Sequence, residues 1–277
     1  MNESSKTPLV IAFVVVVLMT SACFVVLSCC GTSAYAQQPM PQPTPTPPMT
    51  NQPHSPQTDD GQMSDDEVEI AHPFFTHMGM PERVGVYSLR LAGLSNRVDG
   101  RTKGDFGFHF ETGLTKYIGI HVRNDSFLER TRSEVMFQFA AIRSRDGMSG
   151  FSPIIEFEIP TRRGGGSRIN TLVGFSTALV NKRAAFNQVV HYNPREDSVD
   201  YSAAIVLRVG KKYFPVFEIL GEGMRGERPI VNLLGGFKIR MNKNLTLGFA
   251  VQAPITSRKD FSSQLVFQPD IEWRRKQ

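Results

Sequence analysis

The feature that most restricts the fold of this chain is a repeated alternation of apolar and polar residues from about Glu67 onward. Apolar residues occupy every second position in Phe106–Glu111, and Ile118–Arg123 and Leu245–Gln252 show the same period. A period of two is that of a β-strand, whose successive side chains point to opposite faces of a sheet. Because helical periodicity is almost absent, the sequence predicts an all-β fold of about twelve antiparallel strands.

Clusters of Gly, Asn, Asp and Pro separate the alternating runs and predict turns between them. Many runs approach the roughly 9–11 residues with which a tilted strand crosses a bilayer. Segments 195–200 and 222–228 are expected to be longer loops. The predicted turns are Arg123–Ser126, Arg145–Gly147, Arg163–Gly166, Asn193–Arg195 and Met241–Asn244.

The two faces of the predicted strands differ in character. One face is Phe, Ile, Leu and Val almost without charge, and the other mixes charged residues of both signs with Gly and Ala. Charges of both signs suit a wet lumen, and small residues suit a crowded interior, so we expect the apolar face to point outward. The predicted fold is an up-and-down transmembrane β-barrel, with a soluble β-sandwich or lipocalin-like barrel as the alternative.

This orientation makes the charged residues of the polar face candidates for lining the lumen. The first four candidates fall on two adjacent strands joined by a turn, where they could form a constriction that sets selectivity. The alternative interpretation is an ion-pair ladder that only fills the interior. The candidates are His109, Glu111, His121, Arg123, Glu156, Glu158, Arg208, Lys238 and Arg240.

The N-terminal residues 1–36 have the order of a secretory signal peptide. Lys6 precedes the apolar stretch Leu9–Leu27, and Ala34–Ala36 then provides a small-x-small cleavage site. The apolar stretch is also long enough for an uncleaved anchor, and Cys29 lies at an imperfect lipoprotein site. All three interpretations imply export across the inner membrane.

Residues 37–66 are rich in Pro, Thr and Gln and are predicted to be a disordered linker, since they cannot bury enough apolar surface to fold. A docking motif for a partner is the alternative interpretation of this segment. Residues 67–277 are then the barrel domain.

Several function classes lack support in the sequence. The formal net charge of +5 is scattered and forms no basic stripe, so no nucleic-acid partner is predicted. Gly221–Gly226 matches a dinucleotide-binding pattern, but Pro229 and a β-like run follow, which indicates a hairpin. His191 near Asp197 lacks a positioned serine, so no enzyme and no cofactor are predicted.

His72 and His77, which flank Pro73 and two Phe residues, are candidates for a metal site. Metal binding would need a further ligand fixed by spacing, and the sequence near them fixes none. We therefore predict no metal and expect a periplasmic lead-in segment that lies on the barrel.

The two ends of the predicted barrel resemble a known family. The stretches are Ala71–Gly79 with Val84–Arg90 at the start, and Leu234–Arg240, Leu245–Pro254 and Phe267–Trp273 at the end. They resemble outer-membrane barrels of the transporter-like family named after the meta-pathway of phenol degradation. A departure is that Arg274–Gln277 follow Trp273, where such barrels usually end at an aromatic residue.

This resemblance implies an outer-membrane pore or uptake protein for small compounds, hydrophobic or aromatic ones among them. Its implied partners are outer-membrane lipid, the barrel-insertion machinery and a small-molecule solute. The alternatives are a non-conducting structural outer-membrane barrel and a soluble periplasmic β-barrel that binds a small apolar ligand. Whether the lumen is open or plugged, and the oligomeric state, are left open.

Overall fold

The computed structural model describes residues 70–127, 132–161 and 168–275. The predicted signal peptide, the linker and the turn at Arg163–Gly166 lie outside the described residues. Among those that are described, no helix has the length and apolar character needed to cross a membrane.

The alternating runs form β-strands that pair with their neighbours in the chain. The strands are β1 (Val86–Val98), β2 (Arg101–Gly113), β3 (Ile118–Asn124), β4 (Arg132–Phe139), β5 (Ile142–Arg143), β6 (Gly150–Pro160), β7 (Asn170–Val180), β8 (Ala184–Asn193), β9 (Ser198–Leu207), β10 (Tyr213–Met224), β11 (Ile230–Arg240), β12 (Leu245–Pro254) and β13 (Ser263–Arg274).

Two pairings close these strands into a barrel. β1 pairs with β13 in a register that runs from Val86 opposite Arg274 to Arg97 opposite Ser263. β4 pairs directly with β6, while the two-residue β5 pairs only with β6 and stands outside the ring. All strand pairs are antiparallel, so the fold is a closed up-and-down barrel of twelve strands, as predicted. Closure gives each of these twelve strands a hydrogen-bonded neighbour on both sides.

The outer surface of the barrel is apolar. Phe237, Phe249 and Phe267 form a stripe across three adjacent strands, with ring centroids 5.8 and 5.0 Å apart. Phe249 and Phe267 remain 42% and 44% exposed. Trp273 stacks on Tyr87 at 5.7 Å near the end of β13.

The interior carries the charged side chains. Arg90, Glu111 and Lys238 are completely buried, although each is charged. This arrangement inverts that of a soluble barrel, and it confirms the predicted orientation of the two faces. One side of the interior is apolar, however, where Phe214, Val216 and neighbouring residues form a buried cluster.

The prediction of longer loops at residues 195–200 and 222–228 is wrong. β9 already begins at Ser198 and β10 continues to Met224, and these two residues pair with each other. Positive φ angles at Asp197 (50°) and Gly226 (82°) make tight turns, which lets the ladder of backbone hydrogen bonds continue. Gly221–Gly226 therefore belongs to a hairpin, as predicted.

Residues 70–82, which we call the lumenal segment, run through the barrel interior without regular secondary structure. Phe74, Thr76 and His77 on this segment are 1%, 0% and 2% exposed. We expected a lead-in segment on the outside of the barrel, but this segment lies inside the barrel. The reason is that inward-pointing charges of the wall bind the backbone of this segment.

Candidate functional site

Glu218 of β10 is the anchor of the lumenal segment. Its carboxylate accepts hydrogen bonds from the backbone N–H groups of Phe74, of Phe75 at 3.1 Å and of Thr76 at 2.9 Å. The Thr76 hydroxyl donates a further bond to the same carboxylate at 2.9 Å. Bonds to a charged acceptor are among the stronger ones in proteins, so Glu218 holds this turn of the segment in place.

Cationic side chains bind the carbonyl groups of the same stretch. Arg90 donates to the Pro73 carbonyl oxygen at 2.9 Å, and Lys238 donates to that oxygen at 3.0 Å. The Lys238 ammonium also lies 4.6 Å from the centroid of the Phe74 ring. Asp270 balances the Lys238 charge at 2.6 Å. The wall thus complements both the N–H and the C=O groups of the segment.

Amide and hydroxyl side chains hold the following residues. The Gly79 N–H donates to Asn187 Oδ1 at 2.9 Å, and Ser176 Oγ donates to the Gly79 carbonyl oxygen at 3.2 Å. Gln138 donates to the Met78 carbonyl oxygen at 2.9 Å. A Cβ atom at Gly79 would overlap the carbonyl oxygen of Thr177, so only glycine allows this close approach.

His72 forms an ion pair within the segment. Its Nε2 lies 3.1 Å from Glu82 Oε1, and its Nδ1 lies 3.1 Å from the Ser88 hydroxyl. Burial opposes protonation of His72, but the hydrogen bond with Glu82 and the negative charge of Glu111 outweigh it and raise the pKa of His72 to about 9.

The first four predicted lumen residues meet in the interior. In the ladder between β2 and β3, His109 lies opposite Arg123 and Glu111 lies opposite His121. Glu111 forms a buried ion pair with Arg90. Arg123 forms an ion pair with Glu134 of β4, and His109 Nε2 lies 3.4 Å from His121 Nδ1.

Beyond the lumenal segment, the barrel interior contains a partly open cavity of about 400 Å³. It lies toward the end opposite the start of β1, which we call the loop end. Phe75 and His77 of the lumenal segment line it, as do the predicted Glu156 and Glu158. Among the described residues, its lining contains seven carboxylates and one guanidinium, that of Arg123. The carboxylates are Asp125, Glu134, Glu156, Glu158, Asp200, Glu222 and Asp260.

The remaining predicted residues lie away from this cavity. Lys238 binds the lumenal segment, as described above. Arg208 follows the end of β9 and donates to the carbonyl oxygens of Gly210 and Lys182 at 3.1 and 3.3 Å. Arg240 ends β11 and lies 5.0 Å from the Phe214 ring centroid. Arg208 and Arg240 are therefore near turns at the end where β1 starts.

Sequence reasoning missed Arg90, Glu218 and the role of the lumenal segment. Arg90 falls in the polar phase of β1, so alternation could have identified it as an inward residue. Glu218 is a single charge within an apolar run, Val216–Leu220, and only that contrast marks it. His191, which lies near Asp197 in the sequence, has its Nε2 3.6 Å from Oε2 of Glu156.

Comparison with known proteins gives limited similarity. No protein-family model matches the chain, and no curated protein matches it. Among solved structures, it is similar to the KdgM porin, with a TM-score of 0.49 and 11% identity over 68% of this chain and 99% of that one. It is also similar to an outer membrane channel from Pseudomonas putida F1, with a TM-score of 0.49 and 7% identity over 70% and 98%.

The NanC porin has a TM-score of 0.46 and 6% identity over 69% of this chain and all of that one. These structural neighbours are outer-membrane channels and porins. Similarity at this level carries no argument about function, so the fold rests on the strand pairing described above. The resemblance of the two chain ends to the phenol meta-pathway family stays a prediction.

Proposed function

We propose that this chain is an outer-membrane β-barrel that acts as a pore or uptake protein for small solutes, with the lumenal segment as its closing element. The observation that carries the proposal is the closed barrel with an apolar exterior and a polar, cavity-containing interior. An apolar exterior matches lipid, and a polar interior matches a path for water and solute. A soluble barrel that binds an apolar ligand would have the opposite arrangement.

The cavity lining indicates which solutes the proposed pore favours. The described lining residues include seven carboxylates and one guanidinium. Such an excess of acidic groups attracts cations and repels anions. Phe75, Leu94 and Leu220 give the same cavity an apolar part. This combination favours a small solute with an apolar body and a positive or neutral polar group, and it is compatible with the aromatic compounds that the family resemblance implies.

The charged residues of the barrel interior have two roles under this proposal. Glu156 and Glu158 line the cavity and would set selectivity for solutes that enter from the loop end. Arg90, Glu111 and Lys238 would instead hold the lumenal segment in place, directly or through an ion pair. Export through the N-terminal segment, insertion by the barrel-insertion machinery and contact with outer-membrane lipid complete the proposal.

Two measurements test the proposal in sequence. The first is electrophoresis of the membrane fraction with and without boiling, where we expect a mobility shift because a closed barrel resists unfolding by detergent. Recovery of the protein by osmotic shock, with no shift, would instead support a soluble periplasmic barrel.

The second measurement is conductance in planar bilayers under a salt gradient. We expect cation selectivity, and we expect Glu158→Gln with Glu222→Gln to reduce it. Glu227→Gln is a matched control, because Glu227 pairs with Arg258 in a surface turn outside the cavity. A folded barrel that never conducts, even when the lumenal segment is released, would support the non-conducting structural alternative.

A further inference from the structure

Three histidine rings meet where the lumenal segment passes β2 and β3. The ring centroid of His77 lies 4.7 Å from that of His109 and 5.3 Å from that of His121. One nitrogen of each ring lies within 4.8 Å of a nitrogen of the other two. All three side chains are buried, with exposed fractions of 4% or less.

Two groups in this cluster have unsatisfied polar atoms. Both ring nitrogens of His77 and Oε2 of Glu111 have no hydrogen-bond partner among the described residues. Buried polar atoms in proteins nearly always have a partner, so such atoms need an explanation. A cation bound between the imidazole rings would interact favourably with both groups.

We propose that His77, His109 and His121 form a binding site for a divalent transition-metal ion, with Zn²⁺ as the representative. Three neutral imidazoles with an open fourth position are an established ligand set for zinc. With bonds of about 2.0–2.1 Å, tetrahedral geometry places ligand atoms roughly 3.3–3.4 Å apart. The distance of 3.4 Å between His109 Nε2 and His121 Nδ1 matches this spacing.

Neighbouring residues orient and balance two of the ligands. His121 Nε2 lies 3.0 Å from Gln138 Oε1, so its N–H donates to that oxygen and leaves Nδ1 available for the ion. Glu111 Oε2 lies 3.3 Å from His121 Nδ1 and adds negative charge beside the site.

Ion binding at His109 Nε2 requires one rearrangement. Nδ1 of His109 must then carry the proton, whereas Arg90 can only donate and lies 2.6 Å from Nδ1 and 3.4 Å from Nε2. The guanidinium of Arg90 would shift toward Glu111 and the Pro73 carbonyl oxygen, both of which it already contacts.

A second group of ligands shares His77 and includes Glu134 and Glu156. Glu134 is already paired with Arg123, so a cation at that position would have to compete with the guanidinium for one of its own ligands. The imidazole side of His77 is therefore the site that we propose.

Such an ion would join the lumenal segment to the barrel wall, since His77 belongs to the segment and the other ligands belong to β2 and β3. Local sequence does not reveal this site, because His77 has only His72 close to it in the chain, whereas His109 and His121 are more than 30 positions away. This inference goes beyond the pore proposal and does not depend on it, because the site would bind metal whether or not the barrel conducts.

The test is titration of the chelator-treated full-length barrel in detergent with Zn²⁺ by calorimetry, and with Co²⁺ by visible absorption. We expect one ion per chain and the intense visible bands of tetrahedral Co²⁺. We expect His77→Gln and His121→Gln each to weaken Zn²⁺ binding at least about tenfold. His191→Gln is the matched control, because it removes a buried imidazole from the same region but outside the proposed trio.

Gel mobility before and after boiling would establish that each variant is folded. His77→Gln removes no hydrogen bond of the structure, so it should not disturb the barrel. Absence of saturable binding to the wild-type barrel would overturn the proposal. So would binding that Glu156→Gln weakens while His109→Gln and His121→Gln leave it unchanged, since the ion would then lie on the other side of His77.

Discussion

Replacing Glu218 by Gln tests whether the lumenal segment closes the barrel. The amide oxygen would take the position of Oε2, where it can keep three donors, from Phe75 N–H, Thr76 N–H and the Thr76 hydroxyl. The amide NH₂ group would then face the N–H of Phe74, which now bonds to Oε1. One bond to a charged acceptor is therefore lost, and three become bonds to a neutral acceptor.

The structure allows the size of this effect to be worked out. A hydrogen bond to a charged group contributes about 1.5–3 kcal/mol and a neutral one about 0.5–1.5 kcal/mol. Losing one such bond (about 1.5–3 kcal/mol) and weakening three (about 1–1.5 kcal/mol each) sums to about 4.5–7.5 kcal/mol, and relaxation and water should reduce this by about half, to roughly 3–4 kcal/mol. Since each 1.4 kcal/mol is about tenfold, the equilibrium for release of the segment should shift about 100- to 1,000-fold.

The assay is the fraction of time that single barrels conduct in planar bilayers. Glu218→Gln should increase this fraction strongly while the gel shift on boiling is retained. Glu222→Gln is the control, because Glu222 lies on the same strand and lines the cavity but makes no hydrogen bond to the described lumenal segment. If the folded Glu218→Gln barrel gates like the wild type, Glu218 does not hold a closing element and the reasoning fails.

Three further predictions address the segment and the outer surface. Gly79→Ala should also raise the conducting fraction, since its Cβ would overlap the Thr177 carbonyl oxygen; unchanged gating would contradict the close approach. Phe249→Arg should lower the yield of membrane-inserted, heat-modifiable barrel, because a cation at mid-membrane costs about 2–4 kcal/mol, whereas a soluble barrel would fold as before. Burial opposes protonation of His72, yet Glu82 and the wall residue Glu111 raise its pKa to about 9 from 6.5, so charged His72 beside Glu111 stabilises docking fully below pH 6.5, and this stabilisation is lost as the pH rises through 9. Conductance should therefore increase over this range, and His72→Asn should remove that dependence.

Much of the barrel could be predicted from local sequence. The alternation in Phe106–Glu111 and Leu245–Gln252 gave the strands β2 and β12, and the turns at Asn193–Arg195 and Met241–Asn244 were confirmed. Turn residues act locally through their own backbone angles, so their positions can be recognised without the fold.

Alternation also predicted correctly that several site residues point into the barrel, but it could not give their position along the barrel axis. Parity identified His109, Glu111 and Glu156 as inward residues, and all three are buried. Arg208 has the same parity on β9, yet the strand ends at Leu207 and the guanidinium binds a turn. Parity gives the face of a side chain and contains no information on where along the barrel axis it lies.

The sequence by itself thus determined the strands and the character of their two faces, because each strand residue's side-chain direction is set by the local backbone. Only the tertiary structure decided that residues 70–82 fill the lumen and that His77 meets His109 and His121. These contacts join distant parts of the chain, as between Phe74 and Glu218, which are 144 positions apart. No local period relates such residues, and closure of the barrel is what brings their side chains together.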